Sequence, residues 1–184
     1  EYGHFWKLNI FADEIKAEHI GETVGEEGGL SINMKIYLAG EHEVKNGSLA
    51  NWQGLNILES FVYCENNKYF KNLIYDDKLD LLLDSGAFTF MSGNGGKVNW
   101  DEYVNRYCEF IKGYKIGRFF ELDIDVVTGL KHVERLRKII EQKTGIQPIP
   151  VWHKSRGLDY WKGMVKDYKY VAIGGIVTKE IKRT

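Results

Sequence analysis

After Met34 the chain repeats one unit: a short, near-continuous apolar run, then a turn or polar loop, then a stretch with helical spacing. The apolar runs are Lys35 to Ala39, Leu58 to Tyr63, Leu79 to Asp84, Arg118 to Asp125, Ile149 to His153 and Tyr170 to Gly174. Runs rich in Ile, Val, Leu and Phe suit strands covered on both faces. Strands alternating with helices imply a parallel sheet. Its crossovers are right-handed, because a right-twisted strand feeding a helix packs back onto the sheet only that way.

The helical stretches carry their own end signals. Asn99 to Lys112 opens with a capping residue, Asn99, and has Glu102 three positions on. Its Trp100, Tyr103, Val104, Tyr107 and Phe110 recur at helical spacing and read as core. Thr128 to Lys143 places Leu130, Val133, Leu136, Ile139 and Ile140 on one face and Lys131, Glu134, Arg135 and Lys138 on a solvated one, with Gly145 as its C-cap. A third helix runs from about Leu158 to Lys166.

The 184 residues, 43% hydrophobic, supply one sizeable core. Both an open doubly wound sheet and a barrel accommodate the repeat. A complete barrel takes about 250 residues. Thr184 follows Ile181-Lys182-Arg183, which reads as the interior of a helix. The expectation is an α/β fold: a partial (β/α)8 TIM barrel of parallel strands over residues 34–184, truncated at the C-terminus. Residues 1–33 read as an acidic N-terminal extension outside the core, with a weak helical pattern from Phe11 to His19 and a Gly-rich end from Gly25 to Gly29.

With 25 basic and 26 acidic side chains, a net charge of -1 carries no whole-chain signature of nucleic-acid binding. Any phosphate-binding surface is local or lies outside this sequence. Cys64 and Cys108 belong to no CxxC and read as reduced thiols of a cytosolic protein. No apolar run approaches the roughly 20 residues that span a bilayer. No basic-then-apolar leader marks secretion. The expected location is the cytoplasm, that of the host if the gene is phage-borne, with no membrane partner.

In parallel α/β folds the residues at carboxyl strand ends face the ligand. Four such ends are chemically loaded here. Asp84-Ser85-Gly86-Ala87-Phe88 delivers a carboxylate, a hydroxyl, a small-residue turn and a ring that could stack on a base; equally, Asp84 and Ser85 could cap the turn and Phe88 pack inside. In Glu121-Leu122-Asp123-Ile124-Asp125, three carboxylates alternate with apolar residues and in a strand would share one side. Such a cluster suits the N1–H and 2-amino donors of guanine, a divalent cation, or an ion-pair network with Lys and Arg. Trp152-His153 offers a stacking surface and a hydrogen-bonding ring, and Gly174-Gly175 could expose backbone N–H groups to a ligand oxygen. Ser92-Gly93-Asn94-Gly95-Gly96-Lys97 lacks the GxxxxGK[ST] spacing and reads as a flexible loop with no triphosphate site.

Asp84-Ser85-Gly86-Ala87-Phe88 resembles the Asp-Ser-Gly-Gly-(Phe/Tyr) motif of queuine tRNA-ribosyltransferases, the tRNA-guanine transglycosylases. Ala172-Ile173-Gly174-Gly175 resembles that family's Ala-(Ile/Val/Leu)-Gly-Gly, in the same order along the chain. Ser60-Phe61, Phe120-Glu121-Leu122-Asp123 and Ile149-Pro150-Val151-Trp152-His153 are more similar to the phage and bacterial branch that puts 7-deazaguanines into DNA. The resemblance covers about Met34 to Thr184. It implies a pentosyltransferase that exchanges guanine for a 7-deazaguanine in nucleic acid, DNA in preference to tRNA.

On that resemblance Asp84 is the general base, Phe88 stacks on the base, Ser85 lies in the base site and Asp123 or Asp125 reads the donor edge. Gly174 and Gly175 would offer N–H groups to the base carbonyl. Trp152 and His153 stand where the tRNA enzymes use Gln, and Ala87 and Thr89 depart from that branch's Gly and Gln. The family's nucleophilic aspartate and its structural zinc lie on later strands, so the resemblance implies no metal ligands in this chain and no activity from it alone. Two other readings stay open: a different TIM-barrel enzyme, a metal-dependent hydrolase or lyase using Glu121, Asp123 and Asp125, or a purine-binding module without chemistry.

Overall fold

The computed structural model describes residues 10–13, 33–39, 56–68, 71, 74, 79–91 and 98–175. Its backbone is a mixed α/β arrangement in which most strands run parallel. β3 (Leu38–Ala39) pairs with β4 (Asn56–Ser60), and β4 with β5 (Asp80–Asp84), both parallel and with Ser60 opposite Asp84. Parallel pairing then continues through single bridges, Leu83 to Phe119 and Phe120 to Ile149. β6 (Val151–Trp152) and β7 (Ala172–Ile173) complete the series. From β3 to β7, neighbours in space thus follow the order of the sequence.

Adjacent residues of these strands face two different cores. Ile57, Leu81, Leu83 and Phe119 join a cluster built with helix residues such as Tyr107, Ile111, Leu136 and Ile140. Their neighbours Leu58, Leu82 and Phe120 join Tyr37, Ile149 and Val151 in a second cluster drawn from the strand series itself. The strands are therefore covered on both sides, as their apolar composition requires.

The helices follow their end signals. α3 (Trp100–Gly113) starts at Asn99, whose side-chain oxygen accepts from the Glu102 N–H at 3.2 Å. Its Trp100, Tyr103, Val104, Tyr107 and Phe110 are all buried. The ring of Phe61 meets those of Tyr103, Tyr107 and Phe110 edge-on, with centroids 5.2 to 5.4 Å apart; burying a ring of this kind stabilises by about 1.5–3 kcal/mol. α5 (Leu130–Thr144) ends at Gly145, which takes the left-handed φ of 71° and donates to the Glu141 carbonyl. α6 (Leu158–Asp167) is the third long helix.

Several strands are placed differently from the sequence expectation. Lys35 to Ala39 is not one parallel strand: β2 (Asn33–Ile36) pairs antiparallel with β1 (Ile10–Asp13). Phe11 to Asp13 are therefore strand, not helix, and part of the acidic extension is tied to the start of the repeat. Tyr37 is buried while Ile36 and Leu38 are exposed, so this segment alternates as a one-sided strand does. The second strand begins at Asn56 and stops at Ser60, because Phe61 turns into the short α1 (Phe61–Cys64) to bury its ring. Only Phe119 and Phe120 of the Arg118 to Asp125 run pair with neighbours, and Asp125 opens α4 (Asp125–Thr128). His153 leaves β6 to enter a 3-10 turn, Lys154–Arg156. The Ser92 to Lys97 loop and most of residues 1–33 lie outside the described residues.

Candidate functional site

Because the strands are parallel, Asp84, Asp123, Asp125, Trp152, His153, Gly174 and Gly175 all follow carboxyl strand ends at one edge. Register joins them stepwise: the Asp84 strand pairs with Phe119, and Phe120 pairs with Ile149.

Asp84 ends β5 at a tight turn. Its Oδ2 accepts from the Gly86 N–H at 3.3 Å. Ser85 is fully buried; its hydroxyl accepts from the Ala87 N–H at 3.4 Å and its carbonyl from the Tyr103 hydroxyl at 2.6 Å. Ser85 thus serves the turn and does not face an open rim. Gly86 has a φ of 73°, and a Cβ there would lie 2.5 Å from Val62 Cγ2 and 2.6 Å from Ser60 Oγ. Only glycine fits that geometry. Burial, reinforced by the nearby Asp84 charge, pushes the Tyr103 and Tyr107 hydroxyls up, so both remain protonated donors. The Tyr107 hydroxyl donates to the Phe120 carbonyl at 2.9 Å and ties this turn to the next strand. Phe88 opens the short α2 (Phe88–Met91), and its side chain lies outside the described set.

The second group forms around two arginines. Glu121 is fully buried; its Oε2 accepts from Arg137 Nε, and its Oε1 accepts from Arg156 at 2.9 Å and from the Val151 N–H at 2.9 Å. Burial pushes the Glu121 carboxyl up, and the two guanidinium charges oppose it. Arg156 also binds both oxygens of Asp125, through Nε at 3.1 Å and Nη2 at 2.9 Å. For Asp125 burial pulls upward, but the hydrogen bonds and charge of Arg156, with His153, more than offset it and hold the carboxyl below its ordinary value. Arg137 extends the network to the hydroxyls of Tyr168 and Tyr160, at 3.1 and 3.2 Å.

The three carboxylates do gather, but not by strand alternation, since the chain leaves the sheet after Phe120. Arg156 gathers Glu121 and Asp125, and His153 lies beside Asp123 without a hydrogen bond to it. His153 Nε2 lies 3.3 Å from Asp123 Oδ2 and 4.0 Å from Asp125 Oδ1. The ion-pair reading therefore describes Glu121 and Asp125, and Asp123 is the most exposed of the three, at 21%. The Arg156 guanidinium sits between Glu121 and Asp125 and bonds to both. Among the described residues no group of three or more His, Cys, Asp or Glu side chains is placed to hold a metal.

Gly174 works differently from expectation. The Gly174 N–H donates to the Trp152 carbonyl at 2.8 Å, as the parallel ladder demands, and is not offered to a ligand. What the glycine provides is room: a Cβ on Gly174 would lie 3.0 Å from His153 Nε2, and one on Gly175 3.3 Å from His153 Nδ1. The Trp152 indole donates to the Gly157 carbonyl at 2.9 Å and meets Trp161 edge-on at 5.5 Å, so its N–H is already engaged.

No family model, curated protein or solved structure matches this chain. The site's chemistry therefore stands on its own geometry. It combines a partly buried carboxylate at a glycine turn (Asp84) with a carboxylate and imidazole pair (Asp123 and His153) and a charge-neutralised floor beneath that pair (Glu121, Asp125, Arg137 and Arg156). Asp84 can accept a proton, and Asp123 can accept from paired N–H donors. Arg156 and Arg137 escaped the sequence reading. Position 137 follows Val133 by four and precedes Ile140 by three, which puts it on the buried face of α5 and was the available signal. Arg156, in Lys-Ser-Arg-Gly, carried no such signal.

Among the described residues no helix is long and apolar enough to cross a membrane.

Proposed function

We propose that this chain is the base-binding half of a guanine transglycosylase, acting on a 7-deazaguanine and a nucleic acid, DNA in preference to tRNA. The observation that carries the reading is the placement of Asp84, Asp123 and His153 at one edge of a parallel strand series. What favours a TIM-type barrel over a doubly wound sheet is the unbroken sequence order of the strands, together with a core cluster on the face away from the helices.

In the proposed reaction an enzyme carboxylate attacks the sugar C1′, the C1′–N9 bond breaks, and guanine leaves as its N9 anion, which takes a proton from solvent. The incoming deazaguanine then gives its N9 proton to Asp84 as N9 bonds to C1′ and the glycosyl ester breaks. Asp123 accepts from the N1–H and 2-amino groups that mark a guanine-like edge. The target base has to leave the helix stack first. Support for Asp84 as the base comes from its position at the turn, and support for Asp123 from its exposure beside His153.

Calorimetric titration of the chain with 7-deazaguanine bases tests the reading. Asp123→Ala should weaken binding by about tenfold or more, the loss of a charged hydrogen-bond partner, and Asp84→Ala should weaken it as well. Unchanged affinity in both variants would remove the site.

A further inference from the structure

Of the three carboxylates after Phe120, two are taken up by one side chain. The Arg156 side chain is 1% exposed, with three of its nitrogen contacts on Glu121 Oε1, Asp125 Oδ1 and Asp125 Oδ2. It leaves the 3-10 turn that starts at His153, and its backbone N–H donates to the His153 carbonyl at 2.9 Å. One residue therefore fixes both the acid face and the turn carrying the imidazole.

We infer that Arg156 is a positioning and specificity-determining residue: by locking Asp125 and Glu121, it leaves Asp123, beside His153, as the one carboxylate of the three that accepts from a guanine-type edge. This inference rests on the proposed base-binding function. Without the lock, Asp125 and Glu121 would present further acceptors and unscreened charge beside Asp123, and the site would no longer favour one donor pattern. A bidentate guanidinium is needed, because the flexible ammonium of lysine cannot hold both oxygens of Asp125 in one plane while reaching Glu121. Recognition by a fixed polar pair discriminates against a base that lacks the matching donors, since it leaves buried groups unpaired.

The test compares the affinities of the full chain for 7-deazaguanine and 7-deazaadenine by calorimetry. In the wild type the guanine-type base should be preferred; in Arg156→Lys the ratio should fall by about tenfold in a chain whose circular dichroism is unchanged. A second measurement separates positioning from direct contact. If Asp125 acts through Arg156, the losses in Asp125→Asn and Arg156→Lys should not add in the double variant. Should Arg156→Lys fail to fold, Arg156→Gln reads the same ratio, because it releases Asp125 with its charge intact and leaves Glu121 on Arg137. A wild-type preference retained in a folded Arg156 variant, or additive losses, overturns the inference and spares the proposed function. No preference in the wild type overturns both.

Discussion

The imidazole of His153 fills the space that a side chain on Gly174 would need: a Cβ there would lie 2.7 Å from His153 Cε1 and 2.7 Å from Val151 Cγ1. Gly174→Ala therefore forces the ring or β7 to move, an overpacking that costs about 1–3 kcal/mol. Urea denaturation should show a lower midpoint, and the His153 ring resonances should shift. A wild-type midpoint with unshifted ring signals would mean the ring packs elsewhere.

Glu121 stands between two buried guanidiniums. Glu121→Leu leaves Arg156 on Asp125 but takes the carboxylate from Arg137, which keeps the Tyr160 and Tyr168 hydroxyls. Breaking a buried pair costs about 3–5 kcal/mol. Arg135→Ala is the control, since its ion pair with Asp101 is exposed on both sides and such pairs contribute about 0–1 kcal/mol. Comparable losses in the two variants would show that the Glu121 network is not buried.

The Asp125 carboxyl has a folded-state pKa below its unfolded value. The folded state thus favours its charged form, and the stability this brings is complete above the unfolded pKa, at about pH 4. It is lost as pH falls through the lower, folded value. Asp125→Asn should lower stability near neutrality and flatten the acid limb of a stability-against-pH curve. Wild-type and variant curves that stay parallel down to about pH 2 would contradict the shift.

Both cysteines are free and buried. Burial pushes the Cys108 thiol up to about 11 and the Cys64 thiol well above its usual value. Since the thiolate is the reactive form, an aromatic disulfide reagent at neutral pH should label neither in the folded chain and both in urea. Fast labelling without denaturant would place a thiol at the surface.

The parts of this molecule that the sequence declared are those where a local rule and burial agree. Asn99 capped its helix because a side-chain oxygen three residues before a free N–H has one good partner, and Gly145 ended the next helix because it could turn left-handed. The Asp84 turn was legible from a carboxylate delivered by an apolar run into small residues. Its inner logic was not: whether Ser85 faces a ligand or the protein depends on Tyr103, which lies 18 residues away. The run from Arg118 to Asp125 misled because alternation predicts a shared face only while the chain stays extended, and this one bends after Phe120. Arg156 was invisible for a related reason. An arginine between Ser and Gly in a turn is ordinarily solvated, and it becomes buried only through carboxylates 31 and 35 residues earlier.

That separation orders events during synthesis. A nascent chain emerging as far as Asp125 already carries the whole acidic segment, but neither of its guanidinium counterions. Arg137 arrives with α5, and the second only after the strand at Val151 has been translated. Until then the acidic segment lacks both guanidinium partners, and burying its like charges in that state is costly.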